Sequence, residues 1–229
     1  MQYQTRTMTQ AGAIATQQNK VLRNTYMMLS LTMIPTVIGA FIGTSINFSF
    51  MAASPIMSSL LMFGAMIGML FAVTALRNSV WGIVALLGFT FVAGVFLGPI
   101  LQVALHLKNG AHLIGMAAGG TGLIFGSLAT IATVTKKDFS FMGKFLFIGL
   151  ILLIVASLAN MFFQIPALSL TISAIAVMIF SAYILFDVSR IVNGGETNYV
   201  MATLGLYMNI YNIFINLLQL LMAFSGERD

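Results

Sequence analysis

Asp187 is the one acidic side chain that lies within an apolar run, about five residues, or some 8 Å of helix, from the end of that run. A carboxylate placed in hydrocarbon costs about 2.5–3.5 kcal/mol on insertion scales, so one that persists faces a protein interior and has a partner. Two readings are open. Arg190 follows three residues later, where helical neighbours meet, and a local pair reaching toward the interface would accommodate both charges. In the other reading Asp187 is a proton- or cation-responsive group between helices, the default for an intramembrane acid. In the next apolar run Asn209, Asn212, Asn216 and Gln219 recur at spacings of three, four and three, which lines one helix face with amides. Amides facing lipid would be unpaired, so this face must meet other helices or a hydrated cavity. Asn160 and Gln164 raise the same question, and Tyr183, Tyr207 and Tyr211 either join such a network or pack with a satisfied hydroxyl.

Other chemistries find few residues to carry them. His106 and His112 flank a short loop that holds Lys108 but no carboxylate or cysteine, so no metal site is expected there, nor any other cofactor. Cysteine is absent, which removes thiolate nucleophiles, disulfides and cysteine-ligated metals. An intramembrane protease needs two apposed aspartates, a serine with a histidine base, or a His-Glu-x-x-His helix with zinc. Asp187 has no second acid within a span and no such helix motif occurs, so the chain is not expected to be an enzyme. The 17 methionines are scattered through apolar runs, as flexible filler of packing gaps would be.

The elements that position these residues follow from composition. Hydrophobic residues make up 59% of the 229 positions and charged residues 7%, against about 25% charged in an ordinary soluble domain. A bilayer core ~30 Å thick takes about 20 apolar residues per spanning helix, and seven such stretches nearly exhaust the chain. The expected spans are Thr25–Thr44, Pro55–Leu76, Ser79–Leu105, His112–Thr135, Met142–Gln164, Pro166–Val192 and Tyr199–Phe224. The fold class is therefore all-α, a polytopic membrane protein with a seven-helix transmembrane domain over residues 25–229. Residues 1–24 are rich in Gln and Thr and read as a polar, partly disordered tail rather than a cleaved signal.

Basic residues collect on the cytoplasmic side of membrane proteins. With the N-terminus inside, Arg6, Lys20, Arg23, Arg77, Lys136, Lys137, Lys144 and Arg190 fall inside, and Lys108 and Arg228 outside. That distribution makes the tail cytoplasmic and puts Glu227, Arg228 and Asp229 on the periplasmic face. The net charge of +5 reports topology rather than nucleic-acid binding, since no dense basic patch exists; the bilayer is the expected surroundings.

Gly115, Gly119, Gly122 and Gly126 fall on one face of the fourth span, and Gly64 and Gly68 repeat the device in the second. Helix packing through these small residues is expected. Pro35 and Pro99 lie inside spans and free carbonyls, and a kink is expected near Gly98 and Pro99.

Ser181-Ala-Tyr-Ile-Leu-Phe-Asp187 and Leu206-Tyr-Met-Asn-Ile-Tyr-Asn-Ile-Phe-Ile-Asn-Leu-Leu218 resemble the last two helices of the Bax inhibitor family, also called the transmembrane Bax inhibitor motif family. Lys136-Lys-Asp-Phe-Ser-Phe141 is similar to that family's basic loop between helices four and five. Lys20-Val-Leu-Arg-Asn-Thr-Tyr26, Leu97-Gly-Pro-Ile100 and Gly194-Gly-Glu-Thr-Asn-Tyr199 resemble its bacterial YccA branch. The resemblance covers almost the whole chain.

It implies two functions. Members of the family are described as pH-sensitive calcium leak channels in which aspartates on helices six and seven share a proton and latch the pore. The YccA branch is described as an inner-membrane partner, inhibitor and slow substrate of the membrane AAA+ protease FtsH, in a complex with HflK and HflC. Carried over residue by residue, the helix-six aspartate falls on Asp187 and the helix-seven aspartate on Asn209. An amide cannot titrate, so the shared-proton latch is missing, and a neutral ligand in place of a carboxylate weakens divalent-cation binding. The expectation is thus a bacterial inner-membrane protein that binds FtsH, with the polar tail supplying a segment the protease can grip.

Overall fold

The computed structural model describes the backbone of residues 2–49 and 54–226, and side chains over 18–49, 54 and 56–225. The elements are α1 (Gln2–Ser45), α2 (Pro55–Leu76), α3 (Val80–Phe96), α4 (Gly98–Leu105), α5 (Gly110–Thr135), a 3-10 turn (Ser140–Met142), α6 (Gly143–Phe163), α7 (Pro166–Val192) and α8 (Tyr199–Gly226). Among the described residues seven stretches are long and apolar enough to cross a membrane, with Val80–Leu105 counting as one crossing. Six of them match the expected spans to within two residues. The first expected span, Thr25–Thr44, lies within α1 (Gln2–Ser45), where Val21 and Thr25 are already buried. The side chains of the expected tail up to residue 17, and Glu227, Arg228 and Asp229, lie outside the described residues.

Helix α8 is the axis of the bundle. It packs on α7 and α5 to one side and on α1 to the other, and its Leu206, Tyr207, Ile213 and Leu218 are fully buried. Around it, α1 packs on α3, α2 leans on α3, and α6 leans on α7.

The closest helix approach is between α1 and α3. A Cβ on Gly39 would run into the Phe91 carbonyl, one on Gly43 into that of Val95, and one on Gly94 into that of Thr36. These are the positions at which absence of a side chain brings two backbones together. The expected packing glycines behave differently. A Cβ on Gly64, Gly68, Gly115, Gly119, Gly122 or Gly126 would meet nothing within 4 Å, so among the described residues no other helix lies against them. The reason is that α5 has small residues on both faces. It turns Leu113, Ala117, Thr121 and Ala132 inward and leaves the glycine stripe on the outside.

The kink expected near Gly98 and Pro99 occurs at Leu97, whose N–H reaches the carbonyls of both Ala93 and Gly94, at 3.2 and 3.0 Å. Pro99 has no N–H to continue the ladder, yet Leu97 keeps helical dihedrals (φ −71°, ψ −17°), so the chain bends and does not turn back. The Gln102 side chain then donates to the carbonyls of Gly43, Thr44 and Ile46, closing the last turn of α1.

At one end of the bundle three connections are tied together. Asn198 donates to the Arg77 carbonyl and to Asn78 Oδ1 at 3.1 and 2.9 Å. The Ser189 hydroxyl donates to the Lys137 carbonyl and accepts from the Phe139 N–H, at 2.9 and 3.0 Å. Ser140 hydrogen-bonds Asp138 and holds that exposed carboxyl below its ordinary value. Arg77, Lys136, Lys137 and Arg190 are thereby gathered at this end, where α1 also passes, with Gln18 against Gly194. Lys108 sits in the connection at the opposite end.

Candidate functional site

The site begins with how α7 ends. The Gly195 N–H returns to the Arg190 carbonyl at 2.7 Å and the Gly194 N–H to that of Ile191 at 3.3 Å, a Schellman closure. Gly194 holds the left-handed position at φ +78°, where a Cβ would be strained. Asn198 then starts α8. Its Oδ1 accepts from the Val200 and Met201 N–H groups at 3.0 and 3.1 Å, and its own N–H donates to Glu196 Oε1 at 2.9 Å. This short, hydrogen-bonded corner lays α8 beside α7 and sets Asn209 across from Asp187.

Asn209 Nδ2 donates to Asp187 Oδ2 at 2.7 Å, a charge-assisted contact. Asn209 is 5% exposed, so the amide has little access to any other acceptor. Gly205, one turn earlier on α8, faces the same carboxylate, and a Cβ there would stand 3.3 Å from Oδ2. Arg190 turns elsewhere. Its guanidinium donates to the Gly195 carbonyl at 3.2 Å, lies 3.9 Å from Glu196 Oε2, and rests over the Phe186 ring at 5.6 Å. Arg190 and Glu196 form the one ion pair among the described residues, so of the two sequence readings the local Asp187–Arg190 pair is not the arrangement found.

Asp187, Arg190, Glu196, Met201 and Gly205 surround a cavity of ~160 Å³ at the basic end of the bundle. Glu196 and Gly205 were not singled out from sequence. Glu196 lies in a loop where a charged side chain is ordinary, and Gly205 offers no group to notice; the spacing of four from Gly205 to Asn209 is the one signal that places both on Asp187's side of α8. Among the described residues no group of three or more His, Cys, Asp or Glu is placed to hold a metal, and His106 instead contacts its own helix at the Gln102 carbonyl, 2.6 Å away.

The amide face of α8 divides into three settings. Asn209 serves Asp187. Gln219 accepts from the Ser173 hydroxyl at 2.9 Å and donates to Ser169 at 3.4 Å, joining α8 to α7. Asn212 and Asn216 donate at 2.8 Å to carbonyls of their own helix, those of Met208 and Asn212. The tyrosines of α8 face the other way. Tyr207 Oη donates to the Thr90 carbonyl at 3.3 Å and contacts the Thr36 hydroxyl at 2.9 Å, and Tyr211 Oη donates to the Ala93 carbonyl at 3.0 Å. Both therefore pack with satisfied hydroxyls, while Tyr183 packs between Phe180 and Phe186.

The family described as inhibitor of apoptosis-promoting Bax1 matches residues 18–226. The chain is 42% identical over 203 residues to a protein of Escherichia coli strain K12 named modulator of FtsH protease YccA, covering 89% of this chain and 90% of that protein. The counterpart in another Escherichia coli strain, at the same identity and coverage, is named an inner membrane protein. An uncharacterised protein of Pseudomonas aeruginosa is 40% identical over 218 residues, with 94% of this chain and 96% of that one covered. The family match, over residues 18–226, takes in part or all of every helix from α1 to α8 and the Asp187 corner. The chain is a multi-pass inner-membrane protein of the Bax inhibitor family.

Proposed function

We propose that this chain binds the membrane protease FtsH in the plane of the inner membrane and modulates it, without catalysing a reaction of its own. The observation that carries the reading is the 42% identity, over nine tenths of both chains, to a protein named as a modulator of FtsH. In this reading the basic end of the bundle, with Arg77, Lys136, Lys137 and Arg190, faces the cytoplasm, the C-terminus is periplasmic, and residues 1–24 are the segment the protease grips. The chain is then an inhibitor and slow substrate of FtsH within an assembly that also holds HflK and HflC. Asp187, Asn209 and Arg190 form a structural corner that fixes α7 against α8. Affinity purification of the full-length chain from native membranes tests this: FtsH, with HflK and HflC, is expected to co-purify, and their absence overturns the reading.

A pH-gated cation leak is the second reading, favoured by the cavity beside Asp187. Against it, the partner of Asp187 is a permanent donor at 2.7 Å, and Arg190 is engaged by Glu196. A proton-sharing latch needs two acids at that contact, and this chain has one.

A further inference from the structure

Asn212 and Asn216 are unlike the other amides of α8. Their Nδ2 groups are used on their own helix, and no hydrogen bond to either Oδ1 is found among the described residues. Both residues are half-buried and line a cleft of ~340 Å³ that runs between α2 and α6, with Ala176 and Phe180 of α7 beside them. The cleft opens outward, since the rim residues Leu60, Phe63, Ile154 and Leu158 are exposed. Apart from the two amides, Ser59 and Ser157, its wall is apolar.

Depth narrows the occupant. Asn212 lies at the middle of α8 (Tyr199–Gly226), about half a bilayer core, or ~15 Å, from either interface. Lipid headgroups carry the donors of a lipid, and they cannot reach so deep; acyl chains reach it but carry none. A transmembrane helix meets both requirements, because its apolar surface suits the wall and a Ser, Thr, Asn or Gln on it brings a donor to mid-membrane. The two acceptors are four residues apart, ~6 Å along the axis, the interval between side chains one turn apart on a helix running beside α8.

We propose that the cleft between α2 and α6 docks a transmembrane helix of the partner protease, whose polar side chains one turn apart donate to the Asn212 and Asn216 oxygens. This rests on the proposed binding of FtsH and adds where the contact lies and what chemistry selects it.

Because the chain lacks cysteine, a benzophenone-maleimide can be attached at a single introduced site. The experiment co-reconstitutes the full-length chain with FtsH in proteoliposomes, with the photoprobe on Ser157→Cys in the cleft or on the exposed Leu123→Cys of α5. The probe at 157 is expected to cross-link a transmembrane segment of FtsH, and that at 123 is not. In the same vesicles, energy transfer between labelled partners measures association, which Asn212→Leu with Asn216→Leu is expected to weaken about tenfold. Native association with the 157 probe reaching only lipid, water or a second copy of this chain, and with unchanged affinity in the double variant, overturns the docking site and leaves FtsH binding standing. No association of the native chain overturns both. The cross-link is made with Asn212 and Asn216 intact, so a folding defect in the double variant cannot imitate either result.

Discussion

Replacing Asn209 by leucine keeps the branched shape of the side chain and removes the donor that Asp187 has at 2.7 Å. A hydrogen bond to a charged group contributes about 1.5–3 kcal/mol, and an acceptor left without its donor in a buried setting adds its desolvation penalty. Asn209→Leu is therefore expected to destabilise the fold by about 3 kcal/mol. Asp187→Leu leaves the Asn209 amide, 5% exposed, without its acceptor, at about 1–3 kcal/mol. With both partners replaced, two apolar side chains meet across α7 and α8, and such a swap is close to neutral. The double variant should thus be more stable than the sum of the single losses by about 2 kcal/mol or more. Unfolding of the purified full-length chain titrated with SDS in mixed micelles gives the three differences directly. Additivity to within about 0.5 kcal/mol would mean that the two side chains do not interact energetically, and the contact could not be what joins α7 to α8.

The two glycine sets make opposite predictions in the same titration. Gly94→Ala drives a methyl into the Thr36 carbonyl across the α1–α3 contact and should cost about 1–3 kcal/mol, whereas Gly122→Ala, with open space around it, should be neutral or mildly stabilising. The reverse order would mean that α5, not α3, makes the close backbone contact. For the channel reading, calcium flux into liposomes should show no steep pH dependence in the native chain, and Asn209→Asp should create one by placing a second acid at the 2.7 Å contact; identical profiles would remove Asn209 from the latch position.

The seven crossings were legible in the sequence because spanning a bilayer is a local requirement. Each segment must be apolar for about 20 residues whatever its neighbours do, and the six later spans accordingly match the structure to within two residues. Val21, four residues before the expected first span, is buried by helix packing, which a hydropathy sum does not contain. The kink at Leu97 was equally legible, since the missing N–H of Pro99 is a property of one residue.

The site was legible only in part. Asp187 stood out because charge in hydrocarbon is costly wherever the chain folds, and the spacing of Asn209, Asn212, Asn216 and Gln219 fixed them to one helix face. Spacing says which residues share a face but not what that face meets. The packing of α8 decided that Asn209 meets Asp187, that Gln219 meets Ser173, and that Asn212 and Asn216 meet a cleft. The same limit explains the glycines: a stripe at helical spacing promises a close approach by something, and only the orientation of α5 shows that it is not another helix among the described residues. Sequence by itself determined how many helices cross and where the lone acid lies, because hydropathy and covalent geometry act residue by residue. The tertiary structure decided which partner each polar group received, because those partners are remote in sequence and are chosen by how the whole bundle packs.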